Sequence, residues 1–373
     1  MSSAPAEPVP RAGGGGSLLL RPDSLVLATG GGTVVTFDRA GRLYSVFSGG
    51  RSCRRGVDGT VVSKYTDGDT VRRPLDPGEV RQVVAHALAA ARTAPSPGGA
   101  EGAALARARR FDLDADAARF RRLYRGRVPI LPPDLYRAVV LQATVGCSYN
   151  RCLFCRLYRD RRFSVPGAAE FGRHAEAVRR AFGPGLSMRR GVFLGDADAL
   201  VLQTAPLERR CAVAAGLAPA EAGLFCFGTV AGGPARRRSE WEALRGAGLR
   251  RVYLGVETGH DPLRARLRKP GRGSDVLRLV AALKEAGIAA GLIFLLGVGG
   301  EAFEPAHLRD TAALCRAAGL DGDDFVYLAP LVGPGGVGGR ARAQHRALLE
   351  ELALPPHPRG PRLAPYDIRA FVY

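Results

Sequence analysis

Short alternating runs of hydrophobic and polar residues fill the first third of the chain, and longer apolar runs follow. Residues 33–37, 43–47 and 61–64 alternate with a period of two, and Asp38-Arg39-Ala40-Gly41 and Asp58-Gly59 punctuate them. That pattern predicts a small antiparallel meander. Pro77-Gly78-Glu79 opens an amphipathic helix through Ala91, with Val83, Val84 and Leu88 on one face. Residues 93–102 read as a Pro/Gly/Ser linker and residues 103–124 as an Arg-rich helical stretch, closed by Ile130-Leu131-Pro132-Pro133.

From Ala138 the pattern changes. Apolar, strand-like runs occupy 139–144, 191–195, 224–228, 252–256, 291–297 and 325–328. Helical patterns at 168–182, 207–215, 239–246, 275–286 and 307–318 fill the gaps. Strands alternating with helices predict an α/β fold with a parallel sheet and helices outside it. Six such units are too few for an eight-stranded barrel. The fold expected is a partial six-stranded (βα)6 parallel barrel, preceded by a small β-meander and helical region. The organisation expected is a flexible tail over 1–20, an accessory region over 21–135, the core over 136–332 and a tail over 333–373. That last tail carries a helix at 341–352 and a strand within 366–373.

Composition narrows the class. Hydrophobic residues make up 46% of the 373, enough for a sizeable core. No apolar run reaches the roughly 18 residues of a membrane helix. The start of the chain lacks the basic and apolar regions of a secretory signal, so secretion is not expected. The formal charge is +19, yet only Lys64, Lys269 and Lys284 are lysines. A polyanionic partner and a coding bias toward arginine both account for that excess. The scarcity of lysine favours bias, which leaves nucleic acid as a possible partner but not a favoured one. Seven cysteines are too few for a disulfide scaffold.

Three of those cysteines lie together in Gly146-Cys147-Ser148-Tyr149-Asn150-Arg151-Cys152-Leu153-Phe154-Cys155, directly after the first strand of the α/β pattern. Thiolate is a soft ligand that suits Zn²⁺ or iron–sulfur clusters. A structural zinc site wants a fourth Cys or His with local spacing, and none follows nearby. Three ligands are what a 4Fe-4S cluster needs when one iron stays open. Sites in parallel βα folds form at the C-terminal ends of strands. The cysteine loop, Leu194–Asp198, Gly255–His260 and Leu296–Glu301 all fall at such ends.

This loop resembles that of the radical S-adenosylmethionine superfamily, in which three cysteines after the first barrel strand hold a 4Fe-4S cluster and an aromatic residue precedes the last one, as Phe154 does. The usual spacing is C-x3-C-x2-C. Here the first gap is one residue longer, which places the resemblance with an uncharacterised C-x4-C-x2-C subgroup whose loop is followed by a basic stretch. The resemblance covers residues 136–332 and, more loosely, the tail.

The resemblance implies that Cys147, Cys152 and Cys155 are cluster ligands and that Phe154 packs beside the cofactor adenine. Gly195, Asp196 and Asp198 fall where the family binds the cofactor ammonium; N-capping of the next helix is the plainer reading of the acids. Glu257 falls where a polar residue meets the ribose. Ile293, Gly297 and Glu301 resemble the fifth-strand motif that meets adenine; an acid near a helix start is the plainer reading of Glu301. No catalytic residue is assigned. Arg151, Arg156, Arg159, Arg161 and Arg162 either steer an anionic substrate or form a solvated basic face.

The implied activity is reductive cleavage of S-adenosylmethionine to a 5′-deoxyadenosyl radical that abstracts hydrogen from an unknown substrate. The implied partner is a low-potential electron donor of flavodoxin or ferredoxin type, and the implied setting is a reducing cytoplasm. No Asp-x-His-x-x-Gly motif precedes the core, which disfavours cobalamin-dependent methyl transfer. Other readings stay open: a zinc-stapled structural or RNA-binding protein, a non-catalytic cluster protein, and a tRNA-modifying enzyme of the same superfamily.

Overall fold

The computed structural model describes residues 16–67, 69–217, 222–231, 233–333 and 336–373, so most of the expected tail over 1–20 lies outside the described residues. The chain forms two units. The first takes in the chain as far as Leu123 together with Arg179–Arg189 and Arg369–Tyr373. Its sheet has seven antiparallel strands in chain order: β1 (Ser17–Leu20), β2 (Ser24–Ala28), β3 (Val34–Asp38), β4 (Leu43–Ser48), β5 (Arg51–Arg55), β6 (Val61–Asp67) and β7 (Asp69–Pro74). The meander is therefore longer than the three alternating runs indicate.

Local chemistry sets its turns and its cover. Between β3 and β4, the Asp38 carboxylate accepts the N–H groups of Ala40 and Arg42 at 2.9 and 3.0 Å. Gly41 adopts φ +83°, and a Cβ there would lie 2.5 Å from the Arg107 main chain, so only glycine fits. Helix α1 (Pro77–Thr93) starts with a reciprocal cap: Asp76 accepts the Glu79 N–H at 2.9 Å and Glu79 accepts the Asp76 N–H at 3.1 Å. Its Val80, Val84, Ala87 and Ala91 join Leu25, Val35, Phe37 and Val46 of the sheet in one buried cluster. The 93–102 segment is only partly linker, because α2 (Gly99–Arg109) begins inside it, and the Arg-rich stretch breaks before α3 (Leu113–Leu123).

The second unit, Tyr124–Val178 with Arg190–Ile368, is built on a parallel sheet. The strands are β8 (Val139–Gln142), β9 (Val192–Gly195), β10 (Leu224–Gly228), β11 (Leu249–Glu257), β12 (Ala289–Leu296) and β13 (Phe325–Pro330), each paired in parallel to the next. The connecting helices are α4 (Ala168–Phe182), α5 (Thr204–Ala215), α6 (Arg238–Gly246), α7 (Asp261–Arg266), α8 (Gly273–Glu285) and α9 (Gly300–Ala317). Val139–Gln142 and Val192–Gly195 are buried at every position, as strands covered on both faces require. Beyond β13, a two-residue ladder joins β14 (Val332–Gly333) to β15 (Gly336–Val337) and leads into α10 (Gly339–Leu352).

A seventh parallel strand, β16 (Arg362–Pro365), pairs with β13. It replaces the strand expected within 366–373, a stretch that instead holds a 3-10 turn at Ile368–Ala370. The sheet order is linear, with β8 at one edge and β16 at the other. On one face the rings of Phe193, Phe227, Tyr253 and Tyr327 follow one another at centroid spacings of 4.9 to 6.4 Å. Asp134 accepts both tyrosine hydroxyls at 2.6 Å, and Arg251 at 3.0 Å neutralises it. Among the described residues, no helix is long and apolar enough to cross a membrane.

Candidate active site

Strand β8 ends in Gln142, and the chain then turns through Ala143–Gly146 into the cysteine loop. Gly146 holds φ +75° and Asn150 φ +46°, left-handed conformations that Gly and Asn tolerate best. The Asn150 N–H points at Sγ of Cys147 at 3.3 Å, and its side-chain amide donates to the Tyr158 carbonyl at 3.0 Å. The Leu153 N–H donates to the Leu267 carbonyl at 3.1 Å, tying the loop to the residues after α7. Phe154 is half-buried between two of the cysteines.

All three thiols are free and half-buried. Burial pushes the Cys152 thiol up to about 11, with Glu257, Cys155 and Cys147 adding to the rise and Lys269 opposing it. Burial likewise raises Cys155. The thiols therefore lie within reach of one another's charge, in a desolvated setting where a bound cation would favour the thiolate. Among the described residues, no three His, Cys, Asp or Glu side chains converge on one point as a single metal ion requires. By chemistry alone, three soft thiol donors on one loop are the kind of set that an iron–sulfur cluster takes.

Asp196 follows β9 and is buried. Its carboxylate accepts the Gly146 N–H at 2.8 Å and the Gln142 side-chain amide at 3.1 Å, with the Arg161 guanidinium 3.6 Å away. Burial raises its pKa in spite of these partners. Gly195, also buried, accepts the Thr144 N–H at 2.8 Å through its carbonyl. Asp198 is fully buried: Oδ1 accepts the Leu200 N–H at 3.0 Å and Oδ2 the Thr229 hydroxyl at 2.7 Å. Desolvation lifts Asp198 to about 6. Both acids thus bind their own chain, Asp196 at the cysteine loop and Asp198 at the end of β10.

Glu257 ends β11 at a register irregularity and holds φ +67°, a strained value for a residue with a side chain. Its Oε1 lies 3.0 Å from Nζ of Lys269. A Cβ on Gly255 would lie 2.5 Å from that same carboxylate oxygen, so glycine there makes room for it. Buried Arg264 braces the turn, donating to the carbonyls of Val256 at 2.5 Å, Gly271 at 3.0 Å and Pro270 at 3.0 Å. The next residue, Thr258, bonds Nδ1 of buried His307 at 2.8 Å. Lys269 is one basic residue in an Arg-rich loop, and nothing in its local spacing marks its pairing with Glu257.

The fifth-strand residues follow on the neighbouring strand, where Ile293 lies in register with Gly255 of β11. Ile293 is buried inside β12. The Gly297 N–H donates to Oε1 of Gln344 on α10 at 2.6 Å, and a Cβ there would lie 3.1 Å from Ala341. Glu301 is exposed and pairs with Arg340 at 3.0 Å. The arginines after the cysteines divide: Arg151, Arg156 and Arg162 are exposed, Arg159 donates to the Cys152 carbonyl at 3.2 Å, and Arg161 is held by Asp160 and the Arg125 carbonyl.

Residues 141–312 match the model of the Radical SAM superfamily. No curated protein matches the chain. Among solved structures, the chain is similar to the radical S-adenosylmethionine methyltransferase TsrM from Kitasatospora setae with tryptophan substrate and aza-SAM bound, at 18% identity and a TM-score of 0.39, over 55% of this chain and 39% of that one. It is also similar to coproporphyrinogen III oxidase HemN from Escherichia coli, at 13% identity and a TM-score of 0.40, over 57% and 50% of the two chains. Methylornithine synthase PylB matches at 13% identity and a TM-score of 0.40, over 62% and 72%. The chain thus spans well under two thirds of TsrM.

Proposed function

We propose that this chain, whose residues 141–312 belong to the Radical SAM superfamily, is an enzyme that holds a 4Fe-4S cluster on Cys147, Cys152 and Cys155 and cleaves S-adenosylmethionine. The observation that carries the reading is the set of three free, half-buried thiols on one loop after β8. The chemistry such a cluster supplies is one-electron cleavage of S-adenosylmethionine to a 5′-deoxyadenosyl radical for hydrogen abstraction.

The chain's own residues do the positioning. Asp196 fixes the start of the loop through the Gly146 N–H and the Gln142 amide, so the first thiol is set by the ends of two neighbouring strands. Glu257 offers a carboxylate for the ribose hydroxyls, and Lys269, 3.0 Å away, aims it inside a buried turn. Phe154 supplies an apolar surface for adenine. A low-potential flavodoxin- or ferredoxin-type protein supplies the electron.

The test is anaerobic reconstitution, with iron and zinc counted, followed by assay for 5′-deoxyadenosine with dithionite. Four irons per chain and dithionite-dependent cleavage are expected, and both are lost in Cys152→Ala. A fully loaded cluster without cleavage sinks the enzymatic reading. Colourless protein with one zinc sinks the cluster assignment.

A further inference from the structure

A cavity of about 890 Å³ opens between α7 and the start of α8, lined among others by Asp261, Lys269, Arg272, Ser274, Asp275 and Arg278. Its volume is that of a small-molecule site. Its acids already have partners. Oδ1 of Asp261 accepts the Gly273 N–H at 2.8 Å. Asp275 accepts the Arg272 N–H at 2.7 Å and pairs with the Arg278 guanidinium. Beside these acids, Arg272 and Ser274 are exposed at the cavity and offer a guanidinium and a hydroxyl to a guest. Lys269 lines it too, with its ammonium against Glu257. The Leu153–Leu267 hydrogen bond brings the cysteine loop to the same α7–α8 connection.

We propose that this cavity anchors the substrate through an oxyanion group, a phosphate or a carboxylate, held by Arg272 and Ser274 with Lys269 at its inner wall. A guanidinium and a hydroxyl together satisfy such a group, because both only donate to it. The substrate role rests on the radical enzyme reading above; oxyanion binding itself does not.

The experiment is calorimetric titration of the full chain, at physiological salt, with pyrophosphate and separately with succinate. Arg272→Ala is expected to weaken binding of at least one probe tenfold or more, and Ser274→Ala two- to threefold. Arg122→Ala, an exposed arginine of α3, serves as the control for general attraction to a basic protein and is expected to change nothing. Binding of pyrophosphate alone identifies a phosphate ligand and of succinate alone a carboxylate; either supports the seat. The proposal is overturned if neither probe binds, if Arg272→Ala binds as the parent does, or if Arg122→Ala loses as much. The cluster and cleavage assays use neither probe, so the radical enzyme reading is decided separately.

Discussion

The ammonium of Lys269 sits 3.0 Å from a carboxylate oxygen of Glu257, with side-chain exposures of only 11% and 9%. Removing one partner of such a pair strands a charge in a desolvated turn. Lys269→Met is therefore expected to destabilise the chain by roughly 3 kcal/mol. Adding Glu257→Gln is expected to recover a large part of that loss. Urea denaturation of the two single variants and the double variant measures the coupling, and a coupling energy near zero would refute the pairing.

Asp198 and His307 pull stability in opposite directions with pH. Burial raises Asp198 from 3.8 to about 6, so between those values the folded chain keeps a proton that the unfolded chain has lost. Stability from this group falls as pH rises through that window, by about 3 kcal/mol at most. Asp198→Asn removes the fall, so its stability relative to the parent climbs from pH 4 and levels off above pH 6. Burial lowers His307 from 6.5 to about 4, so its contribution is full above pH 6.5 and is lost as pH falls toward 4. His307→Gln is expected to gain on the parent toward low pH. Denaturation series at pH 4, 5, 6 and 7 check both slopes.

The seven cysteines separate into two behaviours. Cys226 is fully buried, and its thiol is held far above its ordinary range by desolvation. Cys226→Ala is expected to cost about 1 kcal/mol of stability, in line with removal of a small buried group. Iron per reconstituted chain should stay at the parent value. Equal iron loss in Cys226→Ala and Cys152→Ala would show that iron content reports folding and not ligation.

Asp196 joins the cysteine loop to the sheet. Asp196→Ala leaves the Gly146 N–H and the Gln142 amide without their acceptor, at a cost of about 2–3 kcal/mol. Asp196→Asn keeps an oxygen acceptor and is expected to cost less than half of that. Melting temperatures rank the two variants, and the rate at which each loses a reconstituted cluster to a chelator should follow the same order.

The strands that were plain in the sequence are those buried on both faces. The runs containing Val192–Gly195 and residues 292–296 are apolar because helices cover them. The strands that were hidden lie at edges or carry charge. Arg362–Pro365 is the last strand of its sheet and largely exposed, so selection for burial left no mark on it. Arg51–Arg55 puts arginine at three of its five positions, and its place in the meander is set by its neighbours' registers. In the site, the cysteine loop was legible because the spacing of its cysteines is local. The links Glu257–Lys269, Asp198–Thr229 and Gly297–Gln344 join residues 12, 31 and 47 positions apart, and a distance that only folding closes leaves no trace in spacing.

The Gly297 amide has one hydrogen to give, and Gln344 already receives it. A nucleotide that reads that strand end by its main chain must displace the side chain of a helix from Gly339–Leu352 before it can bond there. Cofactor and helix are then rivals for a single donor. An affinity measured on the full chain would record the difference between two contacts, and a Gln344→Ala chain would record one.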